Sequence, residues 1–438
     1  MTREEAEKHH FFEHFKTALD CDDLRNQKIK AANNKSLKAL KVFTEVLGYL
    51  KDDALETIKA QAKEGEFTAS DFTWVLTIPA FWGHPAKRFM TDSATQAGLV
   101  TDDTKDKLMF VLESEAALTW CLKLQSDGFI KQNHSRDSQD QPAGAAEPDT
   151  SCNDPAGSQE AVQFTVEPEE TKVLLETQRD GKRYLGVDCG DPAGSQEAVQ
   201  FTVEPEETKV LLETQSDGKR YLVVDCGDYS HFTVHDVLKG GALKTKHEAP
   251  KNDLEGQTVE RKFKQFLREI FCDGVWDEYE QNFASEVKKI MYDFTRLKHL
   301  DEDVQISCPD NLKDEAQKKK QIETFFDSVE GASWDDGSIR ISREKLRFFY
   351  DENLQRITER LREILDNNLN IGYIVLVGGF AENQILRQHI TDQFEPQYKV
   401  LCPLRPQEAI LKGAVELGRN PKLVESQRKH PAWFKCLS

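Results

Sequence analysis

The sequence predicts an α/β protein in which short buried strands are each followed by a helix. Three stretches carry this prediction, because in each an apolar run of strand length leads directly into a helical pattern. These stretches are Trp74–Ile78, ended by Pro79, Leu108–Leu112, followed by Glu113, and Ile374–Val377, followed by Gly378 and Gly379. A chain of 438 residues is long enough for two or three domains with separate cores.

The composition and charge disfavour several classes of protein. Hydrophobic residues make up 38% of the chain and charged residues 31%, and 77 acidic against 58 basic residues give a net charge of −19. This acidity disfavours nucleic acid and anionic membranes as main partners, since both require local positive charge. No apolar run reaches the roughly 18 residues of a membrane span, and the charged start MTREEAEKHH does not resemble a signal peptide. Nine cysteines without a C-x-x-C pair disfavour structural zinc and favour a reduced, cytoplasmic setting.

The first segment, about Glu4 to Lys63, is predicted to be helical with one apolar face. That face comprises Leu37, Leu40, Phe43, Leu47 and Leu50. A domain that opens with helices and shows its first strand only at Trp74 is expected to lack its opening strands or to be permuted. Pro85 and Gly98 bound the helix that follows this strand. Glu113 lies at the carboxyl end of the next strand, where open α/β sheets bind ligands; a solvated strand-end carboxylate is the alternative.

A near-identical repeat follows a polar stretch. Residues 131–157 contain almost no large apolar side chains and are predicted to be a disordered linker. Asp154–Gly190 and Asp191–Gly227 share one sequence, DPAGSQEAVQFTVEPEETKVLLETQ-x-DGKRYL-x-VDCG. Each copy predicts two strands around an Asp–Gly turn, and the second strand ends in Asp–Cys–Gly. Two copies are too few for a solenoid, so the repeat is interpreted as a recent tandem duplication or an error in the predicted gene.

Only one copy can fill a single place in a sheet, and the second copy is favoured. It carries Val223–Val224 where the first copy has Gly186–Val187, and valine is the more β-prone residue. The second copy also leads directly into the predicted strand Phe232–Leu238. The first copy, residues 158–190, is therefore predicted to be a loosely attached hairpin insert.

The next part of the chain, residues 251–340, is predicted to be mainly helical. Two apolar stripes at helical spacing predict helices over Gln257–Leu300, and a polar helix is predicted over Asp310–Phe326. Short strands are predicted at Val304–Cys308 and Ser338–Ile341.

Residues 341–418 are predicted to open with a long helix capped by Ser342, which leads to the strand ended by Gly378 and Gly379. Two glycines after an apolar strand allow a ligand to approach the backbone closely, and the helix beyond them offers N–H groups to an anion or a polar ring. The alternative is a tight structural corner without a ligand. A strand at Tyr398–Leu401, a helix at Gln407–Leu417 and a tail at 419–438 complete the prediction.

Five motifs of this chain occur in the order typical of one protein family. They are WVLTIPAFWGHPAKRFMTDSATQAGL, LESEAALTWCLKL, YLVVDCG, VLVGGFAENQIL and RPQEAILKGAVELG. In turn they resemble a strand–helix unit, a segment in which a glutamate precedes a small-residue helix, the second phosphate loop, the adenosine loop and the closing helix of the actin-like ATPase (ribonuclease H-like) fold shared by the 70-kDa heat-shock chaperones. Together with FFEHFKTAL and KALKVFTEVLGYLK, their wording is closest to the divergent 12A/12B branch. The resemblance extends over about residues 10 to 418.

The resemblance implies a two-lobed fold that binds ATP or ADP with Mg²⁺ in the cleft between the lobes. Glu113 would be the acidic residue near the attacking water, and Asp225 would hold Mg²⁺ through water and help to position the nucleophile. Gly227 would face the phosphates, while Gly378 and Gly379 would lie against the adenosine, opposite Asp225 across the cleft. Phosphoryl transfer requires such metal-bound carboxylates and backbone N–H groups. The alternative for Asp225 is a residue that only forms a turn.

The resemblance also assigns domains and shows what differs from the family. Residues 1–130 would form part of lobe I, 191–250 the start of lobe II with the second phosphate loop, 251–340 its helical subdomain, and 341–418 the adenosine loop and closing helix. The family's opening hairpin, with its Asp-x-Gly-Thr phosphate loop, is not found, so lobe I is expected to be incomplete and the chain N-terminally truncated. The β-sandwich that grips peptides in other members is also not found.

The second phosphate loop departs from the family as well. Asp228 follows Gly227 where a second glycine is expected, and a fixed carboxylate about 4 Å from a phosphate costs several kcal/mol at an effective dielectric constant of about 20. Phe380 and Glu382 replace the small and basic residues that follow the adenosine glycines.

These departures predict an ATP-binding, chaperone-like protein of the stress response with weak or lost ATPase activity, whose partners are nucleotide and client proteins or co-chaperones. The alternative is a non-enzymatic pseudo-ATPase that acts as an interaction module through its acidic surface or its hairpins. A third reading is a fragment that does not fold stably, because an incomplete lobe leaves an open sheet edge.

Overall fold

The computed structural model describes residues 12, 15, 19, 24, 26–31, 35–61, 67–130, 173–177, 183–187, 217–227, 230–249, 258–367 and 369–425. Its strands are β1 (Lys28–Lys30), β2 (Ser36–Lys38), β3 (Phe72–Ile78), β4 (Leu108–Leu112), β5 (Val173–Thr177), β6 (Arg183–Val187), β7 (Arg220–Cys226), β8 (Ser230–Leu238), β9 (Ala242–Glu248), β10 (Val304–Ser307), β11 (Ala332–Asp335), β12 (Ser338–Ile341), β13 (Tyr373–Val377) and β14 (Lys399–Leu401). Its α-helices are α1 (Ala39–Gln61), α2 (His84–Gln96), α3 (Glu113–Cys121), α4 (Thr258–Ile270), α5 (Val275–Asn282), α6 (Ala284–Leu297), α7 (Asp310–Gln317), α8 (Arg343–Leu365), α9 (Gln384–Phe394) and α10 (Pro406–Arg419). The linker predicted at 131–157 lies entirely outside the described residues.

Lobe II, as we call the half built around β7, contains a five-stranded sheet with the order β14-β13-β7-β8-β9. β7 is parallel to β13 on one side and antiparallel to β8 on the other, and β8 and β9 continue as a meander. Both faces of β7 are covered, since Leu222 and Val224 enter one apolar core and Val223 enters another. Burial on both faces explains why the strand reads as a continuous apolar run.

Lobe I is the half built around β3, and its sheet has the order β4-β3-β6-β5. β3 is parallel to both β4 and β6, and β5 pairs with β6 as an antiparallel hairpin. The first copy of the repeat therefore supplies two strands of this sheet, and the prediction that it is loosely attached was wrong. The prediction considered a single sheet with one place to fill, whereas β3 offers a second edge whose main-chain groups need partners.

Two crossed helices join the lobes. α3 begins in lobe I and packs against β7 and β13 of lobe II, while α10 follows the last strand of lobe II and packs against β3, β5 and β6 of lobe I. They cross so closely that a Cβ built on Gly413 would lie 1.7 Å from the carbonyl oxygen of Ala116. An ion pair of 2.5 Å between Lys123 Nζ and Glu416 Oε2 also links the two helices. The closing helix, which was predicted as part of lobe II, thus covers the lobe I sheet.

Several local predictions are confirmed and several need correction. Ser342 caps α8, since its Oγ accepts a hydrogen bond of 3.2 Å from Lys345 N. The first segment is not entirely helical, because β1 and β2 form a hairpin before α1. The helices predicted over Gln257–Leu300 and Asp310–Phe326 are divided, the first into α4, α5 and α6 and the second into α7 and a 3₁₀ turn at Ile322–Phe325. β9 and β11 had no predicted counterpart.

The helical part of lobe II packs around aromatic rings. Phe263 of α4 and Phe294 of α6 stack with centroids 3.9 Å apart, and Phe349 of α8 meets both rings edge-on. A three-stranded sheet, β10-β12-β11, closes this subdomain. Its core is continuous with one face of the lobe II sheet, so the subdomain fixes the orientation of β13 and the residues that follow it.

Candidate functional site

Asp225 and Gly378 lie side by side at one edge of the lobe II sheet. Asp225 of β7 is paired with Val377 of β13, so Gly378 is the next residue along. A Cβ built on Gly378 would lie 2.6 Å from Asp225 Oδ1 and 2.7 Å from the Cys226 carbonyl oxygen, and its φ is +86°. Only glycine fits such a position without strain. The glycine and the carboxylate, which is 5% exposed, therefore form one close-packed corner.

This geometry corrects the expectation that Asp225 and the glycine pair face each other across the cleft. They belong to the same lobe, at the carboxyl ends of two adjacent parallel strands, where α/β sheets bind ligands. The order of strands in the sheet makes Asp225 and Gly378 neighbours. Their separation of 153 residues in the sequence does not show which strands lie side by side. Gly227 follows β7 at the same edge and is half-buried. Four of the five predicted site residues, Asp225, Gly227, Gly378 and Gly379, thus lie at one edge of the sheet.

The glycine corner continues into a short turn rather than directly into a helix. Gly379–Glu382 form a 3₁₀ turn, and α9 begins only after Asn383, whose Oδ1 accepts a hydrogen bond of 3.0 Å from Leu386 N. Gly378 N donates to the Pro406 carbonyl oxygen at 3.3 Å, which ties the corner to the start of α10. A Cβ on Gly379 would have its nearest neighbour 3.9 Å away, at Gln407 Oε1. Space is therefore open at Gly379 and closed at Gly378.

A hydrogen-bonded tie connects this corner to the end of α6. The Lys298 carbonyl oxygen accepts hydrogen bonds from Tyr350 Oη at 2.6 Å and from Asn383 Nδ2 at 3.1 Å. The ring of Tyr350 stacks on Phe380, with centroids 5.8 Å apart, and the buried Lys298 ammonium forms an ion pair with Glu260. Sequence reasoning assigned no role at the site to Tyr350. Asn383 could have been found as an N-cap residue before an apolar helix, but nothing in the sequence signals its bond to Lys298.

Glu113, the other predicted catalytic residue, lies in lobe I. It is the first residue of α3, directly after β4, and it is buried. Because α3 packs against β7 and β13, Glu113 begins the lobe I helix that contacts the strands carrying Asp225 and Gly378. The Oγ of Ser114, the next residue, is buried and has no hydrogen-bond partner among the described residues. A buried polar atom of this kind usually has a partner, and a polar ligand would supply one.

Sequence reasoning missed a polar chain that runs from the buried Glu115 of α3, through the exposed Thr245, to the buried His235 of lobe II. Thr245 Oγ1 donates to Glu115 Oε1 at 3.2 Å and lies 3.3 Å from His235 Nδ1, and His235 Nε2 lies 2.8 Å from Thr233 Oγ1. Burial raises the pKa of Glu115 to about 7, against the opposing effects of the Thr245 hydrogen bond and the charge of Lys87. Burial also lowers the pKa of His235 to about 4. The chain therefore contains a carboxylate that binds a proton near neutral pH.

The donor set at the corner fits a magnesium–nucleotide complex better than a metal ion held by protein alone. Among the residues that the structure describes, no group of three or more His, Cys, Asp or Glu side chains could hold a metal ion. Mg²⁺ in nucleotide sites is commonly bound by one or two carboxylates, waters and the phosphates of the ligand. The carboxylate of Asp225 and the open space beside Gly379 fit such a ligand. Asp228 and the first-copy Asp188 lie outside the described residues.

Known proteins align with this chain over almost its whole length. The chain is 28% identical to heat shock 70 kDa protein 12A of Homo sapiens over 451 aligned positions, which cover 97% of this chain and 60% of that protein. The chain is thus similar to this protein along almost its entire length. The 12A protein of Mus musculus is 27% identical over 446 positions, and heat shock 70 kDa protein 12B of Homo sapiens is 26% identical over 450 positions. No protein-family model matches the chain.

Homology and structure together confirm the predicted resemblance and fold class. This 12A/12B-like chain has the actin-like ATPase fold, with two α/β lobes joined by the crossed helices α3 and α10. It spans about 60% of the length of the curated relatives it matches. None of the described helices combines the length and the apolar composition that a transmembrane passage requires. The roles of Glu113, Asp225, Gly227, Gly378 and Gly379 stay predictions.

Proposed function

We propose that this 12A/12B-like chain binds ATP or ADP with Mg²⁺ at the corner formed by Asp225, Gly227 and Gly378–Gly379. The observation that carries the proposal is the packing of Gly378 against Asp225. It places a buried carboxylate, at the carboxyl edge of parallel strands, beside a glycine pair whose second member, Gly379, has open space around it. Carboxylates and close backbone N–H groups are the two elements that a magnesium–nucleotide site needs.

Each residue has a distinct role in this proposal. Asp225 would hold Mg²⁺ through water, the Gly227 backbone would face the phosphates, and Gly378 and Gly379 would lie against the adenosine. Glu113, at the start of the helix that packs on β7 and β13, would accept a hydrogen bond from the attacking water. When bound, Mg²⁺ supplies positive charge that offsets the phosphates. Because Asp228 follows Gly227 in the sequence and adds a negative charge near the phosphates, we infer that hydrolysis is slow or absent.

The biological role that we propose is that of a chaperone-like protein in the cytoplasm, with client proteins or co-chaperones as partners. Two relatives bear the name heat shock 70 kDa protein 12A, which supports a part in the stress response. Five described cysteines are free thiols, which supports a reducing compartment. The second candidate is a pseudo-ATPase that acts only through protein interactions, and the low exposure of the Asp225 carboxylate, 5%, favours it.

Calorimetric titration with adenosine, ADP and Mg-ATP tests the nucleotide site. The wild-type chain should bind all three, and Asp225→Asn should weaken Mg-ATP binding by at least about tenfold while adenosine binding stays the same, since one charge-assisted contact contributes about 1.5–3 kcal/mol. Asp335→Asn, at an exposed strand position, is the matched control. Equal Mg-ATP affinity in the wild type and Asp225→Asn refutes the role of Asp225, and no binding of any of the three by the wild type refutes the site.

A second variant tests the adenosine side without disturbing the fold. Gly379→Ala places a methyl group where the nearest atom is 3.9 Å away, so the variant should unfold at the wild-type temperature. If adenosine lies against this glycine, the methyl group occupies its place and adenosine affinity falls. Unchanged adenosine affinity in the folded variant would remove Gly379 from the site. Phosphate release, compared between the wild type and Glu113→Gln, then measures any turnover.

A further inference from the structure

The last strands of the two copies, β6 and β7, occupy equivalent positions in the two lobes. In lobe I, β6 is parallel to β3 and antiparallel to β5. In lobe II, β7 is parallel to β13 and antiparallel to β8. β6 and β7 are the same segment of the two copies, RYLGV and RYLVV. One sequence therefore fills the place beside the parallel strand of each lobe.

The first copy is integrated in the lobe I core. Leu185 of β6 is fully buried, in the same apolar cluster as Phe72, Trp74 and Leu76 of β3. α10 packs against both β5 and β6, so the hairpin also contacts the helix that crosses α3. Main-chain hydrogen bonds along β3 give such a strand its affinity, and the side chains that enter the core give it specificity.

The hairpin is held in lobe I by contacts within a sheet and not by its place in the sequence. β4, its closest sequence neighbour in the sheet, ends at Leu112, and β5 begins at Val173. A connection of this length costs little more to close than a shorter one, because the entropy of loop closure grows only logarithmically. The position beside β3 therefore depends on strand pairing and on burial of Leu185.

We propose that the edge of β3 in lobe I is a binding site for a β-hairpin peptide of the repeat sequence, filled in this chain by β6 of the first copy, which pairs with β3, together with β5. The required ligand has an extended strand that pairs in parallel with β3 and a leucine at the position of Leu185. The site is separate from the nucleotide corner and does not depend on nucleotide binding.

Hydrogen–deuterium exchange of the full chain tests occupation of the site by the first copy. Leu185→Ala should raise the exchange rates of the β3 amides by at least about tenfold, because a large-to-small change in a core destabilises the local pairing. The β13 amides should be unaffected. Leu222→Ala is the matched control, since it changes the same position of the second copy, and it should raise exchange in β13 but not in β3. Unchanged β3 exchange in Leu185→Ala would overturn the proposal.

Peptide binding tests whether the site recognises the hairpin in trans. A variant that lacks residues 154–190 should bind a labelled peptide of residues 171–188 saturably, as measured by fluorescence anisotropy, whereas the full chain should bind it much more weakly. The same peptide with Leu185→Asp should bind at least about 100-fold more weakly, because a carboxylate would enter the apolar core. Equal binding of the peptide by the full chain and the deletion variant contradicts the proposal. If the deletion variant does not fold, the exchange experiment on the full chain decides.

Discussion

Replacing Gly378 by alanine tests the corner on which the proposed site depends. Two separate costs are expected. The φ of +86° costs a non-glycine residue about 1 kcal/mol. The new Cβ would also lie 2.6 Å from Asp225 Oδ1 and 2.7 Å from the Cys226 carbonyl oxygen, so these atoms must move by about 0.8 Å to restore an ordinary contact. Such overpacking of a buried site costs about 1–3 kcal/mol.

A matched glycine separates the two costs. Gly337 has a φ of +83° and no atom within 4 Å of a built Cβ, and it lies between β11 and β12 of the same lobe. Gly337→Ala should therefore destabilise by the φ cost alone, about 1 kcal/mol. Both substitutions reduce the freedom of the unfolded chain equally, so that effect cancels in the comparison. The free energy of unfolding should fall by about 1–3 kcal/mol more in Gly378→Ala than in Gly337→Ala.

Urea unfolding followed by far-ultraviolet circular dichroism measures this difference. Both positions lie in lobe II, so the same transition reports on both variants, and equal slopes against urea concentration permit a direct comparison of midpoints. Equal destabilisation of the two variants would falsify the packing of Gly378 against the carboxylate. It would also remove the observation on which the proposed nucleotide site depends.

Three further predictions concern the contacts around the site. Gly413→Ala should lower the thermal unfolding temperature and separate the lobes, since its Cβ would lie 1.7 Å from a carbonyl oxygen of α3. The control Gly48→Ala, in open space within α1, should instead be neutral or stabilising. Equal unfolding temperatures of the two variants would contradict the helix crossing. Glu115→Gln should gain stability relative to the wild type as pH rises from about 4.5 to about 7, because burial raises the pKa of this carboxyl to about 7 and its ionised form destabilises the fold. The gain in the free energy of unfolding should approach roughly 3 kcal/mol above pH 7. The nearby His235 titrates in both proteins, so its contribution cancels in the comparison. If urea unfolding shows a stability difference between the two proteins that does not change with pH, the raised pKa is refuted. Tyr350→Phe should lower the free energy of unfolding by about 1 kcal/mol, because it loses the 2.6 Å hydrogen bond to the end of α6. Tyr292→Phe, at an exposed position, is the control. Equal unfolding midpoints of the two variants would argue against a stabilising role of this hydrogen bond.

Local patterns in the sequence were sufficient to predict the elements that carry the site. An apolar run followed by Glu113 predicted a strand and a helix, and both are present as β4 and α3. The pair Gly378–Gly379 predicted either a close approach of a ligand or a tight structural corner. Gly378 packs against the neighbouring strand, and the approach of a ligand stays a prediction. The strand and the helix could be predicted because strand length and apolar periodicity are local signals.

The relative positions of these elements could not be predicted in the same way. Asp225 and Gly378 were expected on opposite sides of a cleft, and the structure places them on neighbouring strands. Glu115 and His235 were not singled out at all, because the polar chain between them forms only when α3 of one lobe meets β8 and β9 of the other. Both results depend on sheet order and on contact between lobes, which leave no periodic signal in the sequence.

The repeat shows why local sequence cannot supply this information. Leu185 and Leu222 occupy the same position in almost the same sequence, so any local rule gives both the same structure, and both are fully buried strand residues. Their surroundings nevertheless differ, since one packs in the core of lobe I and the other in the core of lobe II. The open edges of β3 and β13 determine which core each leucine enters, because unpaired main-chain groups at a buried edge require a partner strand. The number of edges that need a partner, and not the number of copies, therefore determines how many copies of a duplicated hairpin can be built into the fold.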